Sequence, residues 1–272
     1  MKKNIYQPVQ ASIESVIQET ATIKTFTLKP VSDFTFTTGQ FIELTVPGIG
    51  EGPFTPSSDP GVKGRLDMTI MNVGCITSKL HTMKAGDVVG IRGPYGKGYP
   101  LEKFKGRDIL IVGGGVGLAP LRSLLYSLFS TINDYNKVVL CYGSRTPGDI
   151  VYKYLIPEWS KKERVQVNIS VDVGDPSWQG NVGLVTTLLQ PTLVDITKAV
   201  AIVCGPPIMM KFVNLKLLDL GFKPADIYLS MEKSMSCGLG KCGHCRVGKF
   251  YACKDGPVFT YEELKDIHDI WD

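Results

Sequence analysis

Four cysteines near the C-terminus carry the clearest chemical signal: Cys237-x4-Cys242-x2-Cys245-x7-Cys253. Thiolates ligate iron–sulfur clusters, and C-x4-C-x2-C followed by a more distant cysteine is the plant-type [2Fe–2S] spacing. Gly238, Gly240 and Gly243 lie between them and let the backbone wrap closely, aiming its N–H groups at sulfur. Two other readings fit the same residue types. One is a structural zinc site with four cysteines, although zinc sites usually pair two short knuckles and only Cys242 and Cys245 form one. The other is a set of ordinary buried cysteines, which four glycine-spaced cysteines in 17 residues speak against. His244 stands between two of the cysteines, either tuning a metal centre or simply facing solvent.

A second group sits where strands end. Ile109–Val112 is a short apolar run leading into Gly113-Gly114-Gly115-Val116-Gly117-Leu118-Ala119-Pro120. Glycines between a strand and a helix let a pyrophosphate approach the backbone and the helix N-terminus. The G-x-G-x-x-G fingerprint is not met, because Leu118 holds its last position. No acidic residue follows the second strand either, which ends Cys141-Tyr142-Gly143-Ser144-Arg145. A plain strand-to-helix turn is therefore an alternative. Further on, Cys204-Gly205-Pro206-Pro207 closes another strand, at the edge where parallel sheets place their ligands. Cys75 and Cys141 share neither context and read as core or incidental residues.

The elements that must position these residues fall into three stretches. The first hundred residues predict short strands at 11–18, 22–29, 41–47, 66–72 and 87–92, separated by Gly and Pro turns, with one short helix at 77–84. Strands at this spacing suggest a small antiparallel barrel or sandwich. From about residue 103 the pattern alternates. Strands are expected at 108–112, 138–142, 165–172 and 199–204, and helices at 118–130, 149–159, 183–190 and 207–220. Alternation of this kind means a parallel sheet covered on both faces. Residues 234–256 show no amphipathic period, so something other than a core must order them. The expected domains are 1–102, 103–230 and 231–272.

Composition narrows the possibilities. The 272 residues are 43% hydrophobic and 21% charged, the balance of a globular protein with room for a sizeable core. The net charge of +4 is scattered, with no basic stripe carrying interleaved aromatics, so nucleic acid is not an expected partner. The N-terminus lacks the apolar stretch of a secretory signal. The longest apolar segment, 109–121, is broken by four glycines and a proline, so no membrane span is expected. A cytoplasmic protein follows, and in a reducing compartment clustered cysteines are ligands or catalysts rather than disulfides.

The order of a β-domain, Gly113–Pro120 and Cys204–Pro207 resembles the ferredoxin–NADP reductase superfamily. The tail from Cys237 through Cys253-Lys-Asp-Gly-Pro-Val-Phe is similar to the flavin/iron–sulfur (gamma) subunit of cytosolic sulfhydrogenases, the soluble nickel–iron hydrogenases, and equally to the corresponding subunit of anaerobic sulfite reductase. Dihydroorotate dehydrogenase electron-transfer subunits are a more distant likeness. The resemblance implies FAD in the N-terminal barrel. The family's Arg-x-Tyr-Ser flavin motif falls on Gly52-Pro53-Phe54-Thr55, which places Pro53 and Phe54 at the flavin and Thr55 near its N5. The arginine that would grip the pyrophosphate is missing, which leaves the phosphates to other groups. The turn Gly74–Thr77, with Asn72 beside it, matches the element that holds the flavin phosphates; Thr77 is also an ordinary helix N-cap candidate. The same likeness sets Gly113, Gly114, Gly115 and Gly117 at the dinucleotide. It sets Ser144 and Arg145 at the adenosine ribose or its 2′-phosphate, and Cys204, Gly205 and Pro206 beside the nicotinamide.

Nicotinamide delivers two electrons as hydride and an iron–sulfur cluster carries one at a time, so a flavin must stand between them. The sequence holds no general acid–base constellation and no nickel or siroheme ligands. The expectation is an oxidoreductase subunit that passes electrons between NAD(P)H, a flavin and a [2Fe–2S] cluster, and on to catalytic and iron–sulfur partner subunits. Two other functions remain open at this point: a stand-alone NAD(P)H–flavin reductase, and a zinc-stabilised nucleotide-binding adaptor.

Overall fold

The computed structural model describes residues 4–271. The N-terminal part is an antiparallel sheet of β1 (Val9–Gln18), β2 (Ile23–Pro30), β3 (Phe41–Val46), β4 (Gly50–Phe54), β5 (Leu66–Met71) and β6 (Val88–Tyr95), ordered β4-β3-β6-β1-β2-β5. Its two edges approach each other. The Ser57 N–H, just past β4, donates to the Asp67 carbonyl of β5 at 2.8 Å, and the sheet curls into a barrel. Alternate residues fill the inside, among them Phe26, Leu28, Ile42, Leu44, Leu66, Met68 and Ile91. β4 is not among the strands the sequence predicts. Its glycines and Pro53 argue against a strand, yet it lies at the edge of the order, where a residue lacking an N–H is tolerated. Helix α1 (Cys75–His81) begins two residues earlier than expected and ends three earlier. The Val73 and Gly74 N–H groups both donate to Thr77 Oγ1 at 2.9 Å, which fixes the start.

The second sheet is ordered β10-β9-β8-β7-β11-β12-β15. It comprises β7 (Asp108–Gly114), β8 (Lys137–Ser144), β9 (Val165–Val171), β10 (Asn181–Val182), β11 (Ala199–Cys204), β12 (Ile227–Ser230) and β15 (Val258–Thr260). All pairings are parallel except β15, which runs antiparallel to β12. Every residue of β7 and β11 is buried, because both faces are covered. On one face α2 (Leu118–Ser130) packs Leu121, Leu124 and Leu128 against Ile109 and Ile111; on the other, α4 (Pro207–Asp219) packs Met210, Val213 and Leu217 against Leu110 and Val112. Each such leucine contributes about 1.5–3 kcal/mol.

Two expected helices are largely absent. Over 149–159 only α3 (Ile156–Trp159) forms, preceded by Tyr152 at φ 56. The segment spends its polar groups on the barrel instead: Tyr152 Oη donates to Thr69 Oγ1 at 2.5 Å, and its N–H donates to Glu19 at 3.2 Å. Over 183–190 there is a single 3-10 turn, Val185–Leu188, between Gly183 at φ 135 and Pro191. A side chain rarely adopts that φ, and Pro191 cannot continue a helix.

The C-terminal stretch contains a hairpin of β13 (Arg246–Val247) and β14 (Phe250–Tyr251), then β15 and α5 (Tyr261–Leu264). It is not without a core: Cys245, Val247, Ala252, Cys253 and Phe259 join the α4-side cluster together with Phe41 of the barrel. Among the described residues no helix is long and apolar enough to cross a membrane.

Candidate functional site

The hairpin explains two of the four cysteines. Cys245 precedes β13 and Cys253 follows β14, and the Ala252 N–H donates to the Cys245 carbonyl at 2.9 Å. Their sulfurs are therefore held 3.1 Å apart. The other two sit on the preceding loop, where Gly238, Gly240 and Gly243 all take left-handed φ values of 70, 70 and 86. Those turns point amides inward. Leu239 and Lys241 N–H groups donate to Cys237 Sγ at 3.3 and 3.4 Å, and the Gly240 N–H donates to Cys253 Sγ at 3.0 Å. Burial works against a Cys237 thiolate, but the amides of Leu239, Cys242 and Lys241 outweigh it and hold the thiol at about 6. Burial first, then the adjacent Cys245 thiol, pushes Cys253 up to about 12. Two sulfurs this close cannot both ionise without a cationic centre, while amides aimed at sulfur favour the bound thiolate. The thiols thus form two pairs, Cys237 with Cys242 and Cys245 with Cys253. Among the described residues no three His, Cys, Asp or Glu side chains are disposed around a single metal ion. The donor set fits an iron–sulfur cluster. His244 Nδ1 is 2.7 Å from Ser236 Oγ on the exposed side of the loop.

A cleft of about 660 Å³ opens between the barrel and the second sheet. Such a volume suits a small cofactor. Pro53, Phe54 and Thr55 at the end of β4 and Thr77 on α1 line one side; Cys204 lies on the opposite wall. Ile70, Met71 and Val116 add an apolar surface between them. These surroundings fit a flat, largely apolar ring system with one polar edge. Cys204 is buried, and burial, followed by the charge of Glu232, pushes its thiol up to about 12 while Ser230 bonds it. It is a neutral thiol and no nucleophile. Ser230 and Glu232, at the end of β12, also line the cleft. The sequence reading missed both; the available signal is their place at the C-terminal edge of a strand neighbouring β11. Glu232 itself is exposed, and the partial desolvation of its carboxyl by the surrounding protein raises it above its ordinary range.

The remaining residues singled out from the sequence lie around this cleft rather than in its lining. Asn72 is exposed and accepts from Ser78 Oγ at 2.8 Å; Gly74 caps α1. The Thr77 hydroxyl is engaged in that cap and donates to the Gly74 carbonyl at 3.0 Å. Gly113 and Gly114 end β7, and Gly115 opens into free space at φ 53. A Cβ at Gly117 would come 2.5 Å from the Cys204 carbonyl, and one at Gly205 would come 3.1 Å from the Gly114 N. The glycine loop and the Cys204-Gly205-Pro206 turn are therefore packed backbone to backbone. Ser144 is buried and donates to the Thr146 carbonyl at 3.0 Å, while Arg145 is exposed at the same sheet edge.

Two buried polar groups join the parts. Arg122 of α2 pairs with Asp67 of β5 at 3.2 Å and lies 4.7 Å from the Tyr152 ring centroid. Arg92 of β6 pairs with Glu51 and donates to Tyr95 Oη at 3.0 Å and to the Cys237 carbonyl at 3.4 Å. Beside it, Glu43 is fully buried and neither of its carboxylate oxygens has a hydrogen-bond partner. Burial, then the neighbouring Glu51, pushes it up to about 7 despite Arg92.

Three families match successive parts of the chain: the oxidoreductase FAD-binding domain at residues 9–99, the oxidoreductase NAD-binding domain at 111–215, and the iron–sulfur cluster binding domain of dihydroorotate dehydrogenase B at 232–265. Sulfhydrogenase 2 subunit gamma of Pyrococcus furiosus is 38% identical, over 95% of this chain and 96% of that protein. A probable dihydroorotate dehydrogenase B (NAD(+)) electron transfer subunit of Methanocaldococcus jannaschii is 32% identical over 97% of this chain and 93% of its own length. In fold, the chain is similar to the NADH-dependent reduced ferredoxin–NADP oxidoreductase structure, with a TM-score of 0.74, 24% identity and coverage of 97% and 91% of the two chains.

Proposed function

Because the chain belongs to the family of FAD- and NAD-binding, ferredoxin-reductase-like electron-transfer subunits that includes the sulfhydrogenase gamma subunits, we propose that it moves electrons between NAD(P)H, FAD and a [2Fe–2S] cluster on Cys237, Cys242, Cys245 and Cys253, and on to the catalytic and iron–sulfur subunits of a larger redox complex. One observation carries this reading. β12 ends at Ser230 in the cleft, and the irregular segment after it lines the cleft with Glu232 and Met235 and reaches Cys237 two residues later, so cleft and cysteine loop share one stretch of backbone. The two thiol pairs match the two irons of such a cluster. We assign residues 1–102 to flavin binding, 103–230 to NAD(P) and 231–272 to the cluster; β15 of the last segment also completes the nucleotide-binding sheet.

When bound, a flavin takes up the hydride pair and a cluster carries electrons singly. The chain's residues supply position. Pro53, Phe54 and Thr55, with Asn72, Gly74 and Thr77, would hold the flavin; Gly113, Gly114, Gly115 and Gly117 would receive the dinucleotide phosphates at the start of α2. Ser144 and Arg145 would meet the adenosine ribose, and Cys204, Gly205 and Pro206 would orient the nicotinamide face. As a neutral thiol, Cys204 packs without competing for hydride. Apolar Met71, Val116 and Met235 exclude water. Glu232 is suited to hold a proton at the edge of the cleft. Seven free cysteines agree with a reducing compartment.

Anaerobic mixing of the holoprotein with NADH or NADPH tests the reading. The flavin should bleach and the reduced-cluster signal should follow, and Cys253→Ser should keep the bleaching while losing that signal. Failure of both nucleotides to bleach the flavin would contradict the assignment.

A further inference from the structure

The register of the barrel brings two opposite charges face to face. Glu43 of β3 stands opposite Pro53 of β4 on one side and opposite Arg92 of β6 on the other. Pro53 belongs to the strand that faces the cleft; Arg92 faces the cysteine loop. Arg92 is only 5% exposed. Its Nε donates to Glu51 Oε2 at 2.8 Å and its Nη2 donates to Glu51 Oε1. This fork fixes the guanidinium plane. The remaining Nη1 donates to Tyr95 Oη and to the Cys237 carbonyl. Tyr95 completes the seat. A Cβ at Gly238 would come within 2.9 Å of its ring, so the loop backbone lies flat against it. The ring is itself braced by Phe41, with centroids 5.7 Å apart. One buried cation, clamped by a carboxylate, thus holds the carbonyl of the first cysteine ligand against the flavin sheet.

We propose that Arg92 is a positioning residue for the electron-exit centre: it fastens the Cys237 loop to the barrel, and its charge, set against Glu51 and Glu43, fixes the reduction potential there. The proposal rests on Cys237 being a cluster ligand. Reduction adds negative charge to the centre. A fixed cation nearby favours the reduced form and fixed carboxylates disfavour it, and inside a protein such effects are weakly screened. Arg92 and Glu51 therefore act with opposite sign, although they sit in the same clamp. Damage to packing alone has no reason to produce that opposition.

The test is an EPR-monitored potentiometric titration of the cluster in wild-type holoprotein and in Arg92→Met, Arg92→Lys and Glu51→Gln variants. Arg92→Met should shift the equilibrium toward the oxidised form about tenfold, which is about 59 mV for a one-electron couple. Glu51→Gln should shift it toward the reduced form. Arg92→Lys keeps the charge and should restore most of the potential, while amide exchange in residues 238–241 stays faster than in wild type because lysine lacks the fork. Should Arg92→Met not fold, the opposed behaviour of Glu51→Gln and Arg92→Lys decides the matter. Shifts in the same direction for Arg92→Met and Glu51→Gln, or an unmoved potential in Glu51→Gln, would overturn the proposal. A wild-type holoprotein with no cluster signal would instead overturn the ligand assignment beneath it.

Discussion

The nucleotide-binding sheet and the cysteine loop hold their chemistry in opposite ways. In the sheet, β7 and β11 are buried along their whole length between α2 and α4, so the glycine loop and the Cys204 turn are fixed by a core that exists without any ligand. Residues 234–245 contain no regular element. That loop is held by left-handed glycines, by amides donated to sulfur and by one arginine from the barrel. A preformed cleft can bind and release a diffusible dinucleotide. A loop ordered by sulfur contacts suits a centre that stays bound. The difference also implies that the two regions lose stability separately.

The largest expected effect tests that separation. Replacing Cys253 by Ser should abolish the cluster and expose residues 234–244 to rapid amide exchange, with β7, α2 and β11 still protected. If protection in the sheet collapses as well, the loop is part of the same cooperative unit and the contrast fails. Next comes Arg122→Met, which takes from buried Asp67 its partner on α2, at the junction of barrel and sheet, and leaves it only Arg65 and Thr27 of the barrel. Chemical denaturation should show a loss of about 1.5–3 kcal/mol, and weakened flavin retention should accompany it. A loss below about 1 kcal/mol would mean that the junction is held by its apolar contacts instead.

These regions also differ in how far the sequence reveals them. The apolar run ending in glycines predicts β7 and α2, and Ala199–Cys204 emerges as a strand with the same bounds, because local pattern and buried context agree there. The cysteine spacing is legible for a chemical reason: ligand type and separation are constrained by the centre itself. Failures occur where distant residues decide. Tyr152 abandons a helix to reach Thr69, more than eighty positions away. Pro53 disguises an edge strand. The cleft draws on the ends of β4, β5, β11 and β12, so Ser230 and Glu232 carry no local signature. Glu43, Glu51 and Arg92 look like ordinary charges until strand register places them side by side.

A smaller effect follows from Glu43. Its folded-state value of about 7 lies above the ordinary 4.5, through burial and then Glu51. The sign is that of a raised acid. Below about pH 4.5 the group is protonated in both folded and unfolded chains and costs nothing. Between about pH 4.5 and 7 the unfolded chain has released the proton and the folded chain keeps it, so folding stability falls across that window and levels off above it. Glu43→Gln should therefore stabilise the protein by about 1–3 kcal/mol at pH 8 relative to its effect at pH 5, measured by chemical denaturation at both. An equal change at the two pH values would show that packing, not charge, is responsible.

The smallest effect is expected at Arg145, exposed at the edge of the sheet. Arg145→Ala should lower kcat/KM for NADPH by about tenfold at most and leave NADH nearly unchanged. Equal losses with both nucleotides would remove the 2′-phosphate from its role.

Metal and sulfide analysis of anaerobically isolated protein, with EPR before and after dithionite, tests the central claim most directly. About two irons and two acid-labile sulfides per chain, silent when oxidised and giving a one-electron signal on reduction, are the expected result. A colourless preparation holding one zinc per chain and no signal after dithionite would contradict it.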